Sequence, residues 1–228
     1  MRQTTRQARG IQWSLTQKLE DLDFADDICL LAHTHRDIQA KTEDLQKNAG
    51  QTGLKVNIGK TKTMRINARN ETPIKINGEA LDEVPTFTYL GSIVSKTGGT
   101  DEDIAARISK ARHAFVTLKP VWNNKLISTQ TKLRIFTSNV KSVLLYGAET
   151  WKQTKGTQTK LQVFTNKCLR QILKIHWPEK ITNKELWQRS RQKSVEVDIK
   201  ERKWKWMGHT WRKGPTNLTY QALEWNPQ

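Results

Sequence analysis

Asp26 and Asp27 stand side by side in the run Leu22-Asp23-Phe24-Ala25-Asp26-Asp27-Ile28-Cys29-Leu30-Leu31, and no Lys or Arg lies between Leu22 and His33 to neutralise them. A carboxylate taken out of water without a partner is costly, so an acid pair set between apolar segments usually holds a metal or a hydrogen-bond network. Leu22 and Phe24 alternate with acids, and Ile28, Leu30 and Leu31 follow, the pattern of two short strands joined by a tight turn. The two carboxylates then occupy the tip of a hairpin. Hard oxygen ligands at such a tip suit Mg²⁺, which takes one or two carboxylates and fills its other positions with water and phosphate. By themselves, Phe24 to Asp27 fit a plain surface turn equally well.

Two further segments lie downstream, Gly53-Leu54-Lys55-Val56-Asn57-Ile58-Gly59-Lys60-Thr61-Lys62-Thr63-Met64 and Thr88-Tyr89-Leu90-Gly91. With the acid hairpin, their order and spacing resemble the reverse transcriptase of non-long-terminal-repeat, LINE-like retrotransposons. The likeness runs over essentially the whole chain, from Gly10-Ile11-Gln12-Trp13 to Glu224-Trp225-Asn226-Pro227-Gln228. It implies RNA-directed DNA synthesis by the intact polymerase, with an RNA template, a DNA primer and dNTP as partners. Asp26 and Asp27 would hold two Mg²⁺ ions, or Mn²⁺ in their stead, in a two-metal nucleotidyl transfer. Lys60 would lie near the nucleotide phosphates, where an ammonium can offset charge or protonate the leaving pyrophosphate. Tyr89, Leu90 and Gly91 would form the primer grip. Each has a plainer alternative: Lys60 as one of several lysines guarding a strand edge, Tyr89 as a core aromatic.

A complete polymerase of this kind carries its fingers, a third metal-binding Asp and a Pro-Gly-Gln-rich loop ahead of the acid hairpin. Neither the Asp nor the loop precedes Phe24 here, so polymerisation by this chain alone is not expected. The resemblance implies an N-terminal polymerase portion supplied in cis or in trans. Two other functions fit the same residues: a basic nucleic-acid-binding remnant without catalysis, and a decayed transposable-element fragment without activity.

The chain of 228 residues is 36% apolar and carries 39 Lys and Arg against 22 Asp and Glu, a net charge of +17. That is a polyanion binder's balance, or that of a merely soluble basic protein. There is no run of 18 apolar residues to cross a membrane. Met1 to Gly10 is polar and basic, unlike a signal peptide, so a nuclear or cytoplasmic protein is expected rather than a secreted one. The two cysteines, Cys29 and Cys168, form no C-x-x-C pair, which argues against disulfides and structural zinc. Cys168 and His176 lack two further ligands.

The elements that must position these residues give an α+β fold. Residues 1–94 read as a partial palm sheet, made of β-hairpins and one helix. Thr34 caps that helix with Asp37 reaching back, Ile38, Leu45 and Ala49 form its inner face, and Gly50 and Gly53 stop it. Leu54 to Asn67 reads as one strand, Ile74 to Leu81 as a hairpin turning at Asn77-Gly78, and Phe87 to Val94 as a strand. An incomplete sheet leaves an unpaired edge and an uncovered apolar face at Phe24, Ile28 and Leu30, hence an expectation of poor solubility or self-association.

After a linker at Ser95 to Gly99, residues 95–145 read as a helical thumb and 146–228 as a basic, Trp-rich helical extension. Thr100 and Asp103 form a capping-box pattern, and Ile104, Ile108, Ala111, Phe115 and Leu118 a stripe with Arg107, Lys110 and Arg112 off it. Helices follow from Ser128 to Leu144 and from Thr157 to Ile175, with two more after Ile181. Between Lys119 and Pro178 stand eleven Lys or Arg and one acid, Glu149. Such a bias suits a surface laid along phosphates, and the candidates are Lys125, Lys132, Arg134, Lys141, Lys167, Arg170, Lys174, Lys203 and Lys205. Of Trp187, Trp204, Trp206, Trp211 and Trp225, Trp206 reads as packing. Trp204 and Trp211 fit packing or base stacking alike.

Overall fold

The computed structural model describes residues 8–13 and 17–224. Trp225, and the first seven residues of the polar, basic start, lie outside them. The chain forms two compact units, residues 1–98 and 99–228. The fold is mixed, with small strand pairs in the first unit and helices throughout the second. No helix among the described residues is long and apolar enough to cross a membrane.

In the first unit the strands are β1 (Ile11–Gln12), β2 (Lys18–Leu19), β3 (Asp21–Phe24), β4 (Asp27–Leu30), β5 (Lys62–Thr63), β6 (Lys75–Ile76), β7 (Glu79–Ala80), β8 (Asp82–Glu83), β9 (Thr86–Tyr89) and β10 (Ser92–Ser95). They pair as five separate two-stranded ladders, β1–β2, β3–β4, β5–β8, β6–β7 and β9–β10. The expected palm sheet is therefore a set of ribbons among the described residues. Strands of two to four residues offer too few ladder bonds to recruit a third neighbour.

Helix α1 (His35–Gln51) begins as its cap predicts: the Thr34 hydroxyl accepts the Asp37 N–H at 3.1 Å and donates to the Asp37 carboxylate at 2.6 Å. It packs on β6, where Ile74, Ile76 and Leu81 are buried with Ile38, Val56 and Ile58 against them. The Gln39 side-chain amide pairs with Lys75 like one more strand residue, accepting its N–H and donating to its carbonyl, both at 2.9 Å. Asn77 and Gly78, both at positive φ, make the expected turn. The expected strand over Leu54 to Asn67 is broken: the chain turns at 58–60 before β5. There Asn57 holds the turn, its side chain accepting the Lys60 N–H at 3.1 Å.

The second unit holds α2 (Asp101–Thr117), α3 (Lys119–Asn123), α4 (Thr129–Ile135), a π-helical turn (Phe136–Lys141), α5 (Ser142–Leu144), α6 (Lys155–Ile172), α7 (Asn183–Ser190), α8 (Val195–Trp211) and α9 (Leu218–Glu224). One core runs from Ile104 to Ile199, so the ranges read as thumb and extension share it. Phe115 and Trp122 stack at 5.2 Å, and Phe136 meets Phe115 edge-on at 6.4 Å. Each buried indole N–H has an acceptor: Trp122 donates to the Phe115 carbonyl and Trp151 to Asp103.

Two sequence expectations fail at α2. The Thr100 side chain makes no capping bond and donates instead to the Lys152 carbonyl at 3.2 Å. Arg107 is buried: it pairs with Asp103, and its guanidinium lies over the Tyr146 ring, 4.3 Å from the ring centre, as a cation–π contact. Three helices follow Ile181 rather than two.

Candidate functional site

The acid hairpin is formed as its alternation predicts. Strands β3 and β4 pair Asp21 with Leu30, Leu22 with Cys29, Asp23 with Ile28 and Phe24 with Asp27, leaving Ala25 and Asp26 as a two-residue turn. Ala25 carries the positive φ, 56°. Residues directly opposite share a face, so Asp23 stands beside Ile28 and Asp27 beside Phe24. Neither face is purely apolar. Leu22, Phe24 and Ile28 are exposed, as are Asp26 and Asp27.

Lys41 anchors the base of this hairpin. The residue is wholly buried, and its ammonium donates to the carbonyls of Glu20 and Leu31 at 2.9 and 2.7 Å while pairing with the Glu20 carboxylate. Burial raises the Glu20 carboxyl, but the bonds from Lys41 and the Gly10 N–H outweigh it, and the net shift is below the ordinary value. Gly10 is itself required here: a Cβ would stand 2.2 Å from the Leu19 carbonyl oxygen.

Tyr89-Leu90-Gly91 comes to the same hairpin. Rather than one strand from Phe87 to Val94, the chain reverses at Leu90 and Gly91, both at positive φ, and β10 returns along β9. Leucine is unfavourable in that conformation, which hid the turn in the sequence. The Tyr89 hydroxyl donates to the Leu22 carbonyl at 2.9 Å. Burial, with the negative charge of Cys29, Asp27 and Asp23 nearby, pushes its phenol above the ordinary range.

Lys60 is exposed in the 58–60 turn and joins no ion pair among the described residues. As for metal, Asp26 and Asp27 supply hard oxygens free to face solvent. Among the described residues no three His, Cys, Asp or Glu side chains come together to hold an ion.

In the second unit 25 Lys and Arg face 10 Asp and Glu, a net of +15, against +2 for residues 1–98. Lys125, Arg134, Lys167, Lys174 and Lys205 are exposed. Arg170 is half-buried, bonding the Asn183 side chain at 2.9 Å, and Lys203 reaches the Trp151 carbonyl at 3.3 Å. Lys132 and Lys141 are corrections to the surface reading. Lys132 is 4% exposed and donates to the Trp122 carbonyl at 2.9 Å, while Lys141 is 6% exposed, tied to Asp198 at 2.6 Å and Gln192 at 2.9 Å. Both act inside the core, and neither offers its ammonium to a phosphate.

A groove of about 700 Å³ runs along the junction of α2 and α6. Its floor includes Ile104, Ile108, Phe115 and Phe164; Arg112, Lys160 and Lys167 border it, with Asp101 at one end. Arg112 and Lys160 were missed as candidates because nothing in their local sequence marks them; only the packing of α2 on α6 brings them to Lys167. Lys160 and Lys167 are seven residues apart on α6, about two helical turns. Cys168 also lines the groove, and burial pushes its thiol up to about 12, so it stays protonated and unreactive.

Among known proteins, the chain is similar to an uncharacterized transposon-derived protein of Caenorhabditis elegans, 24% identical over 219 residues, which covers 92% of this chain and 78% of that protein. This likeness points to a transposable-element origin. A domain of unknown function, DUF6451, matches residues 114–146, from the end of α2 to Tyr146. No solved structure matches.

Proposed function

We propose that the chain is part of the RNA-directed DNA polymerase of a non-long-terminal-repeat transposable element, and that it holds an RNA–DNA template–primer. The observation that carries this is the bond from Tyr89 to Leu22. It joins two segments distant in sequence, the acid hairpin and the strand that leads into the Tyr-Leu-Gly turn, as a primer grip beside a metal-binding hairpin requires. Transposon-derived kinship agrees with it.

In this scheme the turn at Leu90 and Gly91 supports the primer's last sugar, since Gly91 has no side chain to hold the backbone off. Asp26 and Asp27 would hold Mg²⁺, which when bound supplies charge stabilisation to the transferring phosphoryl group. Lys60, exposed and unpaired among the described residues, is available to the nucleotide phosphates. Two carboxylates are few for such a site, and in this scheme a further ligand comes from an N-terminal polymerase portion supplied in cis or in trans. Holding the duplex falls to the +15 unit, through phosphates and shape rather than base edges.

That charge concentration also favours a second reading, duplex binding without catalysis. Primer extension on poly(rA)/oligo(dT) with Mg²⁺, beside a salt titration of binding, separates the two. Extension abolished by Asp26→Asn gives a polymerase sufficient in itself. Salt-sensitive binding without extension, unchanged by Asp26→Asn, gives a template–primer holder that needs its missing ligand. A chain that neither extends nor binds is a decayed fragment.

A further inference from the structure

Helix α8 turns two tryptophans away from its own core. Val195, Ile199 and Thr210 are buried, and at about 100° per residue Trp204 and Trp211 fall on the opposite side. They are 65% and 50% exposed. Packing within the unit therefore leaves half or more of each residue uncovered.

Gly208 stands between them on this outer face. Glycine weakens a helix interior relative to alanine, and no neighbour demands it: a Cβ would meet Arg212 Nη1 at 3.7 Å, an ordinary contact. What the missing side chain leaves is an indentation between two rings about 10 Å apart along the axis. The same contact shows the Arg212 guanidinium reaching back over that indentation. Lys205, Arg212 and Lys213 are exposed and join no ion pair among the described residues, whereas the acids of the helix surface, Glu196 and Glu201, are paired with Lys200 and Lys193. The free charge beside the rings is positive.

We infer that this face is a stacking platform for single-stranded nucleic acid, separate from any duplex site. Bases lie on Trp204 and Trp211, one on either side of Gly208, while Lys205 and Arg212 meet the phosphates. Aromatic rings accept unpaired bases of any identity, whereas the bases of a duplex are already stacked on one another. The inference rests on the nucleic-acid reading above but gives the chain a second ligand.

The test uses the full chain and two labelled probes, an oligo(dT) single strand and an RNA–DNA hybrid duplex, each followed by fluorescence anisotropy. Trp204→Ala with Trp211→Ala should weaken single-strand binding by about tenfold per ring and leave the thermal midpoint and duplex affinity unchanged. Gly208→Leu, which fills the indentation with a good helix former, should lower single-strand affinity while keeping helix content. If duplex binding is intact and neither variant alters single-strand affinity, the platform is refuted and the polymerase reading stands. A wild-type chain that binds neither probe refutes both. Variants that only turn a self-associated chain into a monomer would make this face a protein contact, and would also overturn the inference.

Discussion

The Tyr89 hydroxyl donates a 2.9 Å hydrogen bond to the carbonyl of Leu22, joining two hairpins that are 67 residues apart in the chain. Each hairpin alone is a two-stranded ribbon, and isolated ribbons are marginal in water. The bond therefore matters twice, for the stability of the ribbons and for keeping Tyr89 on the acid hairpin.

Tyr89→Phe should destabilise the first unit by about 1 kcal/mol, the net worth of one hydrogen bond, seen as faster amide exchange across residues 21–30 and 86–95. The pH sign follows from the raised phenol. A folded pKa above the ordinary 10.0 favours the neutral form, so the contribution is complete below pH 10 and is lost as pH rises through the raised value. An ultraviolet titration of wild type should show a late phenol ionisation from Tyr89, and that step should vanish in the variant.

Lys41→Met should cost about 3 kcal/mol at neutral pH, because it strands the Glu20 carboxylate and two carbonyls. Glu20 is held below its ordinary 4.5, so its contribution is present above that pH and is lost as pH falls through the lowered value. Wild type should therefore lose stability on acidification in this window by more than the variant does, as measured by urea melts at several pH values.

Gly10→Ala should open the β1–β2 pair, since the added carbon would lie 2.2 Å from the Leu19 oxygen and 2.8 Å from the Glu20 Cα, both backbone atoms that cannot swing aside. The expected cost is about 1–3 kcal/mol, with loss of exchange protection at Ile11 and Leu19. Wild-type protection in the variant would show that the approach is not as close as described.

Cations of the second unit should separate into two classes. Changing Arg112, Lys160 and Lys167 to Gln should leave the thermal midpoint in place and reduce the slope of log K against log salt by about 0.9 for each phosphate no longer neutralised. Lys132→Met or Lys141→Met should do the reverse, destabilising by about 1–3 kcal/mol through an unmet Trp122 carbonyl or Asp198 carboxylate, with the salt slope unchanged.

That division also marks what the sequence could show. Alternation around Asp26 and Asp27 revealed the hairpin, Asn77-Gly78 its neighbour, and the stripes of α2 and α6 the helical core, because these are local patterns read against a period. Lys41, Arg107, Lys132 and Lys141 were invisible as buried groups: a cation's partner lies on another element, and composition alone counts every lysine as surface. The Leu90-Gly91 turn was missed because leucine is a poor residue for positive φ, and the α2–α6 groove because its rim assembles only in three dimensions.

The most direct test of the proposed role is to learn where a primer's end goes. A primer ending in 3′-terminal 4-thiothymidine, annealed to an RNA template and irradiated with the full chain, should crosslink to the peptides containing residues 21–30 and 86–95, and Tyr89→Ala should diminish that crosslink. A primer end that crosslinks only within residues 99–224, or a yield indifferent to Tyr89→Ala, would contradict it.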